Sequence, residues 1–289
     1  MSNAAGAMRL GFSAWAMAEM PVAQQIGLVR EAGYSGIELV SGARASLDAM
    51  KVTADERRQI RRLLDEASLE LPSIAGHGNL MENDPERRGE AQRRVEAAIG
   101  LAADLAGAEG PPCVVCMGYG RPDEYAQVRE QLAEGFGELA RYAEGRGVVV
   151  ALEPHVGQTM DLPEKVRGLM ERVDSAHFRL NFDNSHFEVM GCALDEYVPL
   201  LAPYAVHTHV KDQRGVSPAY EFLVPGEGDF DYAHYLTAME RAGYKGFITV
   251  EISKQVQNRQ GYDAAAVAAR SFETLSAAAT EAGVALTAR

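Results

Sequence analysis

The feature of this sequence that most restricts its fold is a strict alternation of short apolar runs and long amphipathic segments. From Met8 onward, each run rich in β-branched residues is followed by a segment with apolar residues at helical spacing. No linker, low-complexity tract or block of like charges interrupts the series. The predicted strands span residues 9–14, 35–40, 70–75, 112–117, 148–153, 178–183, 205–210 and 247–251, and the predicted helices span 22–32, 54–70, 85–108, 123–144, 162–173, 194–201, 231–242 and 262–282. This order predicts one α/β domain.

Eight strand-then-helix units in roughly 250 residues are the content of a (β/α)8 TIM barrel. The fifth run, VVVALE, is apolar without alternation, which is typical of a parallel strand covered on both faces. An open doubly wound sheet is the main alternative, but no GxGxxG turn follows the first predicted strand. We therefore predict a single TIM barrel over residues 8–289, with residues 1–7 as a cloning remnant or a disordered N-terminus.

Charge and composition narrow the classes of partner. The chain has 28 basic and 41 acidic residues, a net charge of −13, and such a surface repels phosphate backbones. No apolar run approaches the ~18 residues of a membrane span, and no basic, then apolar leader opens the chain. Three cysteines are too few for a disulfide framework, and an odd number fits a reducing compartment. We predict a cytoplasmic protein with neither nucleic acid nor membrane as partner.

Two of the cysteines, Cys113 and Cys116, have the CxxC spacing of redox and metal sites. They lie inside a predicted strand, however, where positions three apart point to opposite faces. The favoured interpretation is two small core residues.

Ionisable side chains collect where four consecutive predicted strands end. Glu153 ends the fifth strand, Asp183 the sixth, His209 the seventh and Glu251 the eighth. In a TIM barrel these ends meet at the face that carries the active site. Three carboxylates and an imidazole suit one Mn²⁺, Mg²⁺, Co²⁺ or Zn²⁺ ion, whereas the carboxylates alone would repel each other. Any one of the four could be a helix-cap partner or a surface charge, but the set predicts a metal site.

Six further residues are candidates for substrate contact. Five of them lie just beyond a strand end, where a pocket would form. Glu38 instead lies inside the second predicted strand, where an ionisable group is costly unless it faces the mouth or is paired. The alternatives are solvent-facing loop residues and, for the single tryptophan, ordinary packing. The candidates are His155, His186, Arg214, His77, Trp15 and Glu38.

Three residues of the run HTHVKD are predicted to orient the ligands. His207 shares the face of His209 by strand periodicity and lies one layer deeper. Asp212 could accept a ring N–H from a histidine, as carboxylates often do at metal sites, or form a loop salt bridge with Lys211. Lys211 could equally bind a substrate oxygen or phosphate.

The motifs at these strand ends resemble the xylose isomerase-like TIM-barrel superfamily. The motifs are GYSGIEL at strand two, LEPH at five, NFDNSH at six, HTHVKD at seven, PGEGDFDY in the next loop and ITVEIS at eight. The resemblance covers essentially the whole chain from Met8, and the motifs as a set are specific for the superfamily but not for any one member. The resemblance implies a (β/α)8 fold and an enzyme of carbohydrate metabolism, an isomerase or epimerase of sugars or sugar phosphates.

The resemblance also implies roles for individual residues. In tagatose 3-epimerase and the inosose-processing enzymes one divalent ion is held by a Glu, Asp, His, Glu quartet, which corresponds here to Glu153, Asp183, His209 and Glu251. The two glutamates of the epimerases also form the acid/base pair. Substrate oxygens are held by the counterpart of His186 and by an arginine near the position of Arg214. The second glutamate of tagatose-type epimerases is absent from HVGQTMD, so their ketose specificity is not implied.

The expected reaction is proton transfer next to a carbonyl through a metal-stabilised enediolate, with Glu153 and Glu251 as acid and base. A dehydratase or lyase acting on a keto-sugar or keto-inositol is the second interpretation, with His155 or Lys211 assisting the leaving group. A non-catalytic sugar-binding barrel is less favoured because all four ligand types are present. A three-zinc nuclease like endonuclease IV is disfavoured by charge and by the missing Asp-x-His pair. Such barrels often form homodimers, although no segment of the sequence indicates an interface.

Overall fold

A ring of eight parallel strands forms the centre of the computed structural model, which describes residues 7–287. Each strand pairs with its neighbours in sequence order, and the last strand pairs with the first to close the ring. The strands are β1 (Met8–Ser13), β2 (Gly36–Val40), β3 (Ser73–Ala75), β4 (Cys113–Met117), β5 (Val150–Glu153), β6 (Phe178–Asp183), β7 (Ala205–Val210) and, after a hairpin, β10 (Phe247–Val250). The predicted (β/α)8 barrel is confirmed. The predicted N-terminal remnant lies outside the described residues, apart from Ala7.

Helices surround the ring and connect successive strands. Two short ones, α6 and α9, extend the loops after β6 and β10, and the other eight correspond to the predicted helices. The helices are α1 (Val22–Glu31), α2 (Ala54–Ala67), α3 (Pro85–Asp104), α4 (Tyr125–Glu144), α5 (Pro163–Val173), α6 (Asn184–Glu188), α7 (Leu194–Leu201), α8 (Tyr232–Arg241), α9 (Lys254–Gln257) and α10 (Ala264–Ala282). No helix among residues 7–287 has the length and apolarity needed to cross a bilayer.

Local chemistry explains where several of these elements begin and end. Helix α2 begins after Thr53, whose side chain accepts from the Glu56 N–H while the Glu56 carboxylate accepts from the Thr53 N–H, a capping box. Strand β3 is shorter than predicted because Pro72 has no N–H to donate to a neighbouring strand. Glu70, two residues before Pro72, pairs with Gly36 of β2 only in an isolated bridge.

The predicted long loop after β7 is an antiparallel hairpin in its first half. Strands β8 (Asp212–Val216) and β9 (Ala219–Leu223) pair in register, with Asp212 opposite Leu223. Gly215 has φ of +79°, and a Cβ there would lie 2.4 Å from the Ala219 carbonyl oxygen, so only glycine fits. The Phe222 N–H donates to Gln255 Oε1 at 2.6 Å, which fixes the hairpin against α9. The hairpin therefore stands beside the barrel mouth as an ordered wall.

Buried side chains occupy two regions, one inside the ring and one between the ring and the helices. Cys113 and Val115 pack with Ala151 in the small inner cluster, whereas Cys116 belongs to the large cluster that includes the helices. The prediction that the two cysteines face opposite sides of β4 is confirmed. Burial raises the pKa of Cys116 to about 11, so this thiol stays protonated at neutral pH. A final short strand, β11 (Leu286–Thr287), pairs with the start of β1.

Candidate metal centre

The four predicted metal ligands meet at the carboxyl ends of the barrel strands. One side-chain atom each from Glu153, Asp183, His209 and Glu251 can be chosen so that all lie within 4.8 Å of one another. The first three side chains are buried, and Glu251 is partly exposed at the mouth. Strand register produces this meeting, since Asp183 lies opposite His209 and the Glu251 N–H donates to the β7 residue Val210. The cluster is a set of oxygen and nitrogen donors suited to one divalent ion.

The ring of His209 has one nitrogen in the cluster and one pointing away from it. Nδ1 lies 2.8 Å from Glu153 Oε1 and 3.8 Å from Glu251 Oε1. Nε2 lies 3.0 Å from both carboxylate oxygens of Glu38, which is not part of the quartet. The amide of Asn181 is 3.1 Å from Nδ1. Nδ1 is therefore the ring nitrogen available to a metal ion.

A buried lysine supplies positive charge to the cluster. Lys211 Nζ donates to Asp183 Oδ2 at 2.5 Å and also to Glu251 Oε2. Burial opposes the charge of Lys211, but the carboxylates of Asp183 and Glu251 outweigh it and raise the pKa of the ammonium. A group of carboxylates that draws an ammonium into its centre has the electrostatics of a cation site. The oxygen and nitrogen donors of the cluster, and its attraction for the Lys211 ammonium, both fit a site for a divalent ion.

The charges within the cluster keep the Glu153 carboxyl group ionised. Burial would raise the pKa of Glu153, but the charge of His209 and its hydrogen bond lower that pKa to about 2. Burial likewise opposes the charge of His209, yet Glu38, Glu153 and Glu251 outweigh it and raise the pKa of the imidazole. Glu153 is therefore ionised at neutral pH, as a metal ligand or a general base has to be.

A second polar group lies deeper in the barrel, beneath His209. Glu38 was predicted to line the pocket, and the structure places its carboxylate fully inside the ring at 0% exposure. Ser13 Oγ donates to Glu38 Oε1 at 2.6 Å and Ser73 Oγ to Oε2 at 2.7 Å. His207 lies 2.9 Å from Ser73 Oγ and, as predicted from its spacing, one layer below His209. Glu38, His207 and His209 also have ligand atoms within 4.8 Å of one another.

Two predicted substrate residues stack beside the cluster. The rings of His155 and His186 are 3.8 Å apart at their centroids, and the Phe222 ring stands edge-on to His186 at 5.2 Å. Burial lowers the pKa of His186 well below its ordinary value, so its ring is neutral. Among residues 7–287, neither ring nitrogen of His186 has a hydrogen-bond partner, although both are buried and Nε2 lies 3.4 Å from Asp183 Oδ2. The ring nitrogens of His186 are therefore available for hydrogen bonds to a ligand next to the cluster.

The remaining pocket candidates lie on the opposite wall and on the hairpin. Trp15 and His77 meet edge to face with centroids 6.5 Å apart, and Lys254 Nζ lies 4.7 Å from the centre of the Trp15 ring. Arg214 is not brought to the cluster. Its side chain is 51% exposed on the hairpin, where it donates to Glu221 at 3.0 Å and to the Glu227 carbonyl at 2.8 Å.

Asp212 has a different role from the predicted contact with a histidine ring. Its carboxylate accepts the N–H of Gly226 at 2.9 Å and that of Phe230 at 3.2 Å. At Gly228 an added Cβ would lie 2.3 Å from Asp212 Oδ1, so the PGEG turn folds directly onto this carboxylate. Asp212 therefore anchors the turn at 225–230, because the chain reverses there and brings its amides within reach.

Several residues of the site were not identified from the sequence. Ser13 and Ser73 bind Glu38, Asn181 contacts His209, and Phe222 packs on His186. Ser73 and Asn181 do carry a signal, because each is a polar residue inside a predicted strand and Asn181 lies two positions before Asp183 on the same face. Nothing in the sequence indicated Phe222, because its packing on His186 depends on the hairpin.

A closed parallel barrel with a cluster of acidic and imidazole side chains at its carboxyl end defines a TIM barrel with its candidate site in the usual place. The profile of the family described as xylose isomerase-like TIM barrel matches residues 26–277. The chain belongs to this family.

Known relatives include epimerases and inosose dehydratases. Inosose dehydratase of Glaesserella parasuis is 31% identical over 145 residues, covering 42% of this chain and only 47% of the dehydratase. Fructoselysine 3-epimerase of Shigella flexneri is 25% identical over 259 residues, covering 87% of this chain and 92% of the epimerase. A xylose isomerase-like TIM barrel protein of Mycobacterium smegmatis, solved with magnesium, superposes with a TM-score of 0.73 at 19% identity, covering 98% of this chain and 99% of that one. The structural likeness concerns the fold.

Proposed function

We propose that this protein is a divalent-metal-dependent isomerase or epimerase of a sugar, keto-sugar or sugar phosphate. The observation that carries the proposal is the meeting of two glutamates, Glu153 and Glu251, with Asp183 and His209 at one point of the barrel mouth. Two carboxylates at one site supply both a proton acceptor and a proton donor. The fructoselysine 3-epimerase relationship over most of both chains supports the same reaction class.

The side chains of the cluster divide the work. Glu153, Asp183, His209 and Glu251 would hold the ion, which when bound would polarise the substrate carbonyl and acidify the adjacent C–H. Glu153, ionised at neutral pH, removes that proton, and Glu251 returns a proton to the other face or to the neighbouring carbon. The neutral ring of His186, whose nitrogens have no hydrogen-bond partner within the described part of the chain, binds a substrate hydroxyl. One C–H bond breaks as Glu153 gains a proton, and one forms as protonated Glu251 gives one up; exchange with solvent then restores both carboxyl groups. In an isomerisation a hydroxyl proton also passes to the former carbonyl oxygen, and in neither case is an oxidant or reductant consumed.

The reaction is tested by proton exchange. Metal-loaded protein incubated in D2O with ketopentoses, ketohexoses and their phosphates should place deuterium on the carbon next to the carbonyl of at least one of them, which NMR detects. Protein dialysed against a chelator should give no exchange. Lack of exchange with every such sugar, from protein shown to hold its ion, would contradict the proposal.

A dehydratase is the second candidate, and the match to inosose dehydratase favours it. The first step would be the same removal of a C–H proton by Glu153. Loss of the β-hydroxyl would follow, with His155 or Lys211 giving it a proton so that it leaves as water. Mass spectrometry of the product separates the two candidates, since a dehydratase product has lost one water and an epimer has the mass of its substrate.

The metal content is predicted separately from the reaction. Purified protein should contain about one Mn, Mg, Co or Zn ion per chain by inductively coupled plasma mass spectrometry, and Asp183→Ala should contain almost none, because the variant loses one of four ligands. The magnesium in the solved Mycobacterium smegmatis relative supports an ion of this kind.

The matched control is Asp161→Ala, since Asp161 is another buried aspartate paired with a lysine, Lys165, at 2.6 Å. That variant should keep its ion. Equal metal contents in Asp183→Ala and wild type would remove Asp183 from the ligand set, and three zinc ions per chain would favour a nuclease of the endonuclease IV type.

A further inference from the structure

We infer that Glu38 is a positioning residue that determines which ring nitrogen of His209 faces the metal ion. The inference rests on the metal centre of the proposed function and adds a residue outside its ligand quartet. Glu38 lies on β2, on the far side of the His209 ring from Glu153 and Glu251. Its contribution is therefore to the orientation of a ligand.

The contacts of Glu38 define this role. Both carboxylate oxygens lie 3.0 Å from His209 Nε2, while the opposite ring nitrogen, Nδ1, lies 2.8 Å from Glu153 Oε1. A ring nitrogen that binds a metal carries no proton, so the one proton of the neutral ring has to be on Nε2. The Nε2–H then donates to Glu38, as carboxylates commonly accept the remaining N–H of a metal-bound histidine. Glu38 thereby selects the tautomer that leaves Nδ1 free.

Glu38 is itself held in place from both sides. Ser13 on β1 donates to one oxygen at 2.6 Å, and Ser73 on β3 donates to the other at 2.7 Å. These strands flank β2 in the ring, and Ser13 lies directly opposite Glu38 in register. Two hydroxyls and an imidazole donate to the Glu38 carboxylate, so its orientation is already fixed in the metal-free protein. A buried carboxylate is costly unless it is compensated in this way.

Solvent and substrate cannot reach Glu38. Its side chain is 0% exposed, and His209 lies between it and the cluster. The nearby His207 is 3.5 Å from Glu38 Oε2 and is also 0% exposed. A direct contact between Glu38 and a sugar at the mouth would need His209 to move aside. The buried position leaves orientation of His209 as its role.

A second ion held by Glu38, His207 and His209 is the competing explanation, because their ligand atoms also lie within 4.8 Å of one another. Two observations favour hydrogen bonding. Both carboxylate oxygens already accept from serine hydroxyls, and His207 Nε2 contacts Ser73 Oγ at 2.9 Å. The number of ions per chain decides between the two.

The test compares the Mn²⁺ dissociation constants of wild type, Glu38→Gln and Glu70→Gln by isothermal titration calorimetry on chelator-treated protein. A glutamine side chain has one accepting and one donating end, so its NH₂ can face Nε2 and place the ring proton on Nδ1 instead. Glu38→Gln should weaken Mn²⁺ binding about 10- to 100-fold, as loss of such carboxylate partners does. Glu70 pairs with Arg9 at 2.6 Å away from the cluster, so Glu70→Gln should bind as wild type does.

A second readout follows the ring directly. In ¹⁵N-labelled protein loaded with Zn²⁺, which is diamagnetic, the proton of His209 should be on Nε2 in wild type. In Glu38→Gln, a fraction of the rings should carry the proton on Nδ1, and in that fraction His209 does not bind the ion. A merely structural role for Glu38 would change the thermal midpoint of the metal-free protein without changing this tautomer.

Each outcome has a definite meaning. Equal Mn²⁺ affinities in wild type and Glu38→Gln overturn the inference, as does a stoichiometry of two ions that falls to one in the variant. If Glu38→Gln does not fold, Ser73→Ala replaces it and should weaken Mn²⁺ binding in the same direction by a smaller factor, with no change again overturning the inference. Absence of turnover with an intact affinity difference overturns only the proposed reaction, whereas absence of Mn²⁺ binding to wild type overturns the metal centre and this inference together.

Discussion

Glu251→Gln is expected to lower kcat by about 10³-fold, the usual contribution of a general acid or base, while the fold persists. Glutamine has the shape of glutamate and keeps a carbonyl oxygen for an ion, but it neither accepts nor returns a proton. Glu251 is the one member of the quartet that is partly exposed at the mouth, with 13% of its side chain accessible, so it is open to a substrate. The loss should therefore fall on turnover more than on folding.

The measurement is kcat for the sugar identified by D2O exchange, taken with the metal content of the same sample. The control is Glu240→Gln, an exposed glutamate on α8 that is not part of the cluster, and this variant should leave kcat unchanged. Equal kcat values for Glu251→Gln and wild type would remove Glu251 from the acid/base pair. A loss of turnover that tracks a loss of metal would show that Glu251 acts as a ligand and not as an acid.

The barrel could be predicted because it depends on a repeated local pattern. Each strand needs only an apolar run and each helix only apolar residues at helical spacing, as in VVVALE and in α2 with its Thr53 cap. The meeting of the four cluster residues could be predicted for the same reason. Parallel strands in a closed ring bring their carboxyl ends together, and the conformation of the loops does not change this. Glu153 and Asp183 are neighbours for that reason alone.

The finer contacts depend on features that local pattern does not encode. Whether Glu38 faces a pocket or His209 depends on its height in the barrel relative to Ser13 and Ser73, which strand register determines. The contacts of Arg214 and Asp212 depend on the hairpin, whose strands are short, partly exposed and partly charged and so resemble a loop in the sequence. The hairpin moves the Arg214 side chain outward and turns the chain so that Asp212 meets the amides at 226 and 230.

Lys211 provides the largest expected effect on stability, because its ammonium is the internal cation of the cluster. Lys211→Met should lower the free energy of unfolding of the metal-free protein by about 3 kcal/mol, since removing one partner of a buried ion pair leaves the other charge uncompensated. The charges left behind belong to Asp183 and Glu251, both of which the ammonium contacts. Saturating Mn²⁺ should restore most of this loss, because a divalent ion neutralises the same carboxylates.

The same variant should bind Mn²⁺ more tightly than wild type, because the ion no longer displaces a competing ammonium from the oxygens of Asp183 and Glu251. Urea unfolding with and without Mn²⁺, and calorimetric titration, measure both effects. Lys165→Met is the matched control, since Lys165 pairs with Asp161 away from the cluster and its loss should destabilise the two states equally. The contradicting result would be that Lys211→Met loses the same free energy of unfolding with and without Mn²⁺. The ammonium and the ion would then occupy different places, and the carboxylates of the barrel mouth would need both cations at once.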